Sequence, residues 1–150
     1  MPVLPITEAN AAQPTQCAIT NMFISEDDTV FQEAWAQAEP LLQKALDRCC
    51  DGTWELEDVK LAVMQGRMQF WPMDGAALVT EILVFPRKKA LNCWLCGGDL
   101  KELERVYPSL ELFAQANGCY ALYGAGRKGW TTYMTKFGWV PDYHVKKILE

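Results

Sequence analysis

The stretch from Gly118 to Trp139, GCYALYGAGRKGWTTYMTKFGW, constrains the fold more than any other part of the chain. It runs from a short apolar strand at Cys119 to Tyr123, through a glycine turn, to a helix from Lys128 to Phe137. A Gly-aromatic pair, Gly138-Trp139, then leads into a closing strand or hairpin over Trp139 to Leu149. A strand this short and apolar is the kind that lies buried within a sheet. Gly124, Gly126 and Gly129 surround Arg127 and Lys128, and glycine permits both positive φ and close backbone approach. Two readings stand side by side there: two cations facing an anion, or a turn whose cations are solvated.

Upstream the period changes twice. Arg67 to Pro72, Ala76 to Phe85 and Ala90 to Cys96 are rich in β-formers, and Asp74-Gly75 and Pro86 to Lys89 supply the turns between them. They read as an antiparallel meander. From Asp99 a helical stripe begins with Leu100, Leu103, Val106 and Tyr107; Pro108 breaks or restarts it before Leu110, Leu112 and Phe113 carry it on. Earlier, Thr29 to Cys49 repeats apolar residues at three and four behind an acidic cap at Ser25 to Asp28, with Pro40 set to kink or split the helix. Trp54 to Met64 forms a second helix, and Cys17 to Ile24 a first short strand. Residues 1–16, with three prolines and no period, read as an extended arm ahead of a single domain over 17–150.

The chain has 14 basic and 19 acidic residues, a net charge of -5, which argues against general phosphate-backbone binding. Its apolar runs are too short and interrupted to span a bilayer, and the N-terminus lacks the regions of a signal peptide. Six cysteines, two of them adjacent, read as buried reduced thiols in a cytosolic protein.

In this order the elements resemble the back half of the GNAT acyltransferase fold. Over residues 68–150 the cadence FWPM, ALVTEILVFPRKKAL, GGDL, FAQANGC, GRKGW and FGW is similar to that of the small GNAT-like proteins of tailed bacteriophages. The resemblance implies an α/β (α+β) domain with a mixed, mainly antiparallel central sheet flanked by helices. It also implies acetyl-CoA in a cleft splayed between two strands. The pantetheine arm would lie along the strand carrying Cys93, Leu95 and Cys96, and the pyrophosphate on the amides at Gly97-Gly98, where the following helix begins. Arg127 and Lys128 would at most reach the far end of the cofactor. Two departures stand out. The family's Q/R-x-x-G-x-G/A loop is reduced to two glycines followed by Asp99, and the tyrosine of its Y-x-x-x-G-F pattern is replaced by Met134, with Tyr133 one residue, about 100° of helix, away.

On this resemblance Tyr133 is the acid that protonates the leaving thiolate, and Tyr123 and Tyr143 are substitutes without motif support. Glu81, mid-strand, is the base that deprotonates an amine; otherwise it is a strand-face acid paired with Arg67 or Lys89. Cys93 and Cys96 have CxxC spacing, but a zinc site needs two more ligands, the one histidine is His144, and residues three apart on a regular strand face opposite ways. Core cysteines and no metal are expected. His144 reads as a surface residue, and Trp130, Phe137 and Trp139 as core anchors. The functional expectation is a phage-type N-acetyltransferase acting on a protein lysine or a small amine in the host cytoplasm. The alternative is an inactive GNAT-fold structural protein among the partners of a virion or ejection apparatus.

Overall fold

The computed structural model describes residues 24–125, 128–142 and 144–149. The expected arm and all but Ile24 of the strand expected at Cys17 to Ile24 fall outside them, as do Gly126, Arg127 and Tyr143. Helix α1 spans Thr29–Cys49 and α2 Leu56–Met64; strands β1 (Gln69–Met73), β2 (Ala76–Val84) and β3 (Lys89–Gly98) follow. Then come α3 (Leu100–Ala116), β4 (Cys119–Gly124), α4 (Lys128–Met134) and a 3₁₀ turn at Thr135–Phe137. Among the described residues the sheet has four strands in the order β1-β2-β3-β4. The first three are antiparallel, as the turn chemistry implies, and β4 runs parallel to β3 after the α3 crossover.

Local chemistry sets the helix starts. Asp28 caps α1 by accepting from the Phe31 amide at 3.1 Å, and a Glu55–Asp58 capping box opens α2. Of the two internal prolines, Pro40 does not split α1, and Pro108, expected to break or restart α3, does not interrupt it. Each lies on an exposed face, where water can take the carbonyl left without its helical donor.

The sheet divides the core in two. On one face α1 and α2 bring Phe31, Trp35, Leu42 and Val59 onto Phe70, Ala77, Val79 and Leu95. On the other, α3 brings Leu103, Val106, Leu110 and Phe113 onto Trp71, Leu78 and Leu91. The β1–β2 register is held by a buried relay in which Trp71 Nε1 donates to Thr80 Oγ1 at 3.0 Å and Thr80 donates to Gln69 Oε1 at 2.8 Å.

Two further expectations give way. The described residues of Trp139 to Leu149 form no strand: Pro141 offers no amide, and Val140, Val145 and Leu149 are more than four-fifths exposed, packed on nothing that would order a strand. Nor are all the thiols reduced. Cys49 and Cys50 are joined in a disulfide between neighbours at the point where α1 ends, whereas Cys93, Cys96 and Cys119 form no disulfide and are partly buried.

Candidate active site

β3 and β4 pair over Lys89–Cys93 and Cys119–Gly124, and there β4 ends while β3 runs on. Among the described residues, β3 continues from Trp94 to Gly98 with β2 alone as a paired strand. One margin of β3 therefore lies open beyond Cys93. At the same point β3 carries a bulge: Val79 pairs with Leu95 and Thr80 with Cys93, which leaves Trp94 without a partner on β2. The extra residue puts Trp94 and Leu95 both on the α1 face, and Cys93 and Cys96 both on the α3 face. The rule that residues three apart face opposite ways fails here for that reason. The two thiols share an apolar cluster, and no metal-binding group of His, Cys, Asp and Glu forms among the described residues. Burial, with the nearby Cys96, pushes the Cys93 thiol up to about 12, so it stays protonated at neutral pH.

The glycines at the end of β3 have packing causes. A Cβ on Gly97 would lie 2.5 Å from the carbonyl oxygen of Leu41 in α1. At Gly98 φ is +105°, and a Cβ would lie 2.2 Å from the carbonyl oxygen of Gly75 in the β1–β2 turn. Asp99 is the N-cap of α3, its carboxylate accepting from the Lys101 amide at 3.0 Å. A carboxylate thus already occupies part of the amide array expected to meet a pyrophosphate.

Beside that helix start, a groove of about 390 Å³ is lined by Leu100, Gly129, Trp130 and Tyr133. The structure so brings Tyr133 next to the helix start that follows Gly97 and Gly98. The Tyr133 ring packs 5.7 Å from Phe137, and the Lys136 ammonium sits 3.9 Å from its centre. Lys128 opens α4, and Arg127 lies outside the described residues.

Glu81 stands elsewhere. It is on the α1 side of the sheet, half-buried, and its Oε1 accepts from Asn92 Nδ2 at 3.2 Å across the β2–β3 pair; the expected partners Arg67 and Lys89 do not hold it. Trp94, two residues along from Asn92 on the same face, packs against Trp54 with ring centres 4.9 Å apart. Glu81 and Tyr133 thus flank the sheet from opposite sides, with the open margin of β3 between them.

The branch point of β3 and β4 holds residues that sequence reasoning passed over. A Cβ on Gly124 would meet the Trp139 ring at 3.3 Å and the Cys93 carbonyl oxygen at 3.7 Å, so the indole sits in the fork. Tyr107 of α3 packs on the same ring, centre to centre 6.3 Å. Burial lifts the Tyr107 phenol above its ordinary value and the charge of Glu111 adds to the rise; the Trp139 indole opposes it and Cys93 adds a little more. That opposition reflects proximity, because the Trp139 Nε1 hydrogen is buried and closes no hydrogen bond of normal geometry. His144 is exposed, as expected, whereas Phe137, read as a core anchor, is 42% exposed.

A sheet with this order, a β3 that outruns its parallel partner β4, and helices on both faces make the GNAT fold, and several solved structures similar to this chain are acetyltransferases by name. One, an aminoglycoside acetyltransferase from an uncultured soil metagenomic sample in complex with sisomicin, is 11% identical, with 85% of this chain and 93% of that chain covered and a TM-score of 0.55. The aminoglycoside N-acetyltransferase AAC(6')-Iy in complex with CoA is 9% identical over 81% of this chain and 89% of that chain, with a TM-score of 0.58. A possible acetyltransferase from Clostridium difficile 630 is 8% identical over 84% and 94% respectively, with a TM-score of 0.53. No family model matches the sequence, and no curated protein matches it.

Proposed function

We propose that this protein is an acyl-CoA-dependent N-acetyltransferase that moves an acetyl group from acetyl-CoA to an amine. The observation that carries the proposal is the fork: β3 runs on past its last pair with β4, leaving an unpaired strand margin that ends beside an apolar groove at a helix start. Such a margin offers backbone hydrogen-bonding groups to an extended amide-bearing chain, which is what a pantetheine arm is. Cys93, Leu95 and Cys96 lie along it, with Gly97 and Gly98 at its end; Arg127 and Lys128 are the cations proposed for the far end of the cofactor. Of these, Gly97 and Gly98 also have the packing roles already described, and Asp99 tempers the helix start as a phosphate site.

In the reaction the amine nitrogen attacks the thioester carbonyl; the C–N bond forms, the C–S bond breaks and CoA leaves as thiolate. Glu81, oriented by Asn92, takes the proton from the acceptor ammonium before the freed amine attacks, directly or through one water, from the α1 side. Tyr133, in the groove on the far side, returns a proton to the sulfur. Attack is direct, because a thiol with a pKa of about 12 is a poor acyl carrier. The similar proteins that carry aminoglycoside names make aminoglycosides the first acceptors to try, ahead of other small amines and protein lysines.

The second reading, a phage protein that keeps the fold as a virion part, draws on one feature, the Asp99 carboxylate at the helix start. Thermal shift with acetyl-CoA separates the two. A ligand at 100 times its Kd adds about 2.7 kcal/mol, and no shift at millimolar acetyl-CoA removes the enzyme reading. If binding is seen, Glu81→Gln lowers kcat and leaves the Kd for acetyl-CoA unchanged; lost binding reassigns Glu81.

A further inference from the structure

The fork contains a buried donor with nothing to donate to. Trp139 Nε1 is shielded from solvent and without a partner, and in a folded protein such a group costs about 1–3 kcal/mol. The indole is not filling space at random: its ring lies against Gly124, beside the Cys93 carbonyl, at the last paired residues of β3 and β4. Tyr107 of α3 packs on the indole, and its phenol feels the Trp139 N–H, although the indole N–H closes no hydrogen bond of normal geometry. Two hydrogen-bond donors from distant parts of the chain therefore meet at one place.

That place has a direction. An extended chain on the open margin of β3 runs from the groove at Leu100 down to Cys93, roughly 16 Å at a strand's rise per residue. Its bulky polar end stays at the groove, which faces solvent, and its narrow end comes to the closed bottom of the fork. A group arriving there meets a thiol that stays neutral, an aromatic wall and two donors. No metal-binding cluster of His, Cys, Asp and Glu stands among the described residues at this point. A carboxylate is poorly served by such surroundings, whereas a neutral carbonyl that gains negative charge in reaction is well served.

We propose that the Trp139 indole N–H and the Tyr107 hydroxyl form a two-donor site for the carbonyl oxygen of an acyl thioester held in the β3–β4 fork. This rests on the acyl-CoA reading above and adds to it a site made of side chains from α3 and the C-terminal segment. The Tyr107 oxygen, lifted above its ordinary range mainly by burial, remains a donor throughout the neutral range. In the ground state the pair holds the carbonyl; as the amine adds, the same two donors face the developing oxyanion. Tyr133 keeps its separate place in the groove, where it meets the thiolate as CoA withdraws along the β3 margin.

The test is infrared difference spectroscopy of acetyl-CoA carrying ¹³C in the acetyl carbonyl, with the full chain and no amine acceptor. Bound to the wild type, the labelled carbonyl stretch lies below its frequency in buffer. Trp139→Phe moves it back toward the buffer value and Tyr107→Phe moves it part of the way, while Tyr133→Phe leaves it where the wild type has it. In turnover with sisomicin or spermine, Trp139→Phe lowers kcat on the order of 10²-fold with little change in KM for acetyl-CoA. Should Trp139→Phe fail to fold, Tyr107→Phe carries the test alone. A carbonyl frequency that is unshifted on binding, or shifted equally in wild type and Tyr107→Phe, overturns the donor pair but leaves the acyl-CoA reading standing. No binding of acetyl-CoA to the wild type overturns both.

Discussion

The chain has two glycine-rich turns, and side by side they teach different things. Gly97 and Gly98 end β3, while Gly124 and Gly129 bracket the turn between β4 and α4. In the sequence both pairs have the look of a backbone drawn up to a phosphate. At the first, both glycines are demanded by the protein itself: Gly97 lies under the Leu41 carbonyl, and Gly98 needs positive φ against Gly75. At the second, Gly129 lies in helix α4, where a Cβ would meet nothing within 4 Å, and it lines the groove. Glycine in a helix is unfavourable by about 1 kcal/mol against alanine, and no contact in the fold explains why it is kept there. Where a glycine has no structural cause, the space that it leaves is the better explanation.

The contrast can be broken at either turn. Gly98→Ala has the largest expected effect, at least about 3 kcal/mol, because strain and a clash with backbone add; urea unfolding that shows a loss below 1 kcal/mol would remove the packing account. Gly97→Ala should cost about 2 kcal/mol, since α1 has to lift from the sheet. Its midpoint should recover in part when α1 is loosened by Leu42→Ala, a non-additive pair in a double-mutant cycle.

The fork can be probed by pH. Unfolded, Cys93 loses its proton near 9.0; folded, near about 12. Between those values the native state holds a proton that the unfolded state has given up, so this contribution is complete below pH 9.0 and falls away as the pH rises toward 12. Alkaline unfolding followed by tryptophan fluorescence should start later for Cys93→Ala, and an unchanged alkaline limb would show that the thiol is hydrated.

Two smaller effects sharpen the functional half. Asp99→Ala should cost about 1 kcal/mol through the lost cap yet tighten acetyl-CoA binding, because a carboxylate leaves the helix start; weaker binding would place the pyrophosphate elsewhere. Gly129→Ala should stabilise by about 0.5–1 kcal/mol while raising the Kd for acetyl-CoA. If calorimetry finds the affinity unchanged, the groove is not the cofactor's.

How far the sequence spoke depended on whether the cause was local. Asp74-Gly75, the Asp28 cap and the apolar spacing of α1 and α3 act within a few residues, and each element stands where its own chemistry puts it. Pro40 and Pro108 follow the same local logic, yet neither ends its helix, because packing on the buried side holds those helices while the missing donor faces water. Trp139 to Leu149 has the composition of a strand, but a strand also needs a neighbour to pair with, and composition does not carry that information. The site is more distant still. Glu81 and Tyr133 could be picked out by type and spacing, but Asn92 as the partner of Glu81 depends on the β2–β3 register. Tyr107 and Trp139 meet only because α3 crosses back over the sheet and the last described segment returns to β4. No motif spacing joins residues that far apart in the chain.

The bulge at Trp94 has one more consequence. Parity along β3 is kept by counting Trp94 and Leu95 as a single step, so every residue before and after already sits on its proper face. Deleting Trp94 would therefore scramble nothing: Leu95 would take its place, Cys93 and Cys96 would stay under α3, and Gly97 would stay under Leu41. The sheet can do without that one letter. What would disappear is the irregular stretch of backbone at the mouth of the fork and the indole that packs on Trp54. A variant shortened by this one residue should melt as one cooperative unit and bind no acyl-CoA, separating in a single deletion what the chain needs in order to fold from what it needs in order to act.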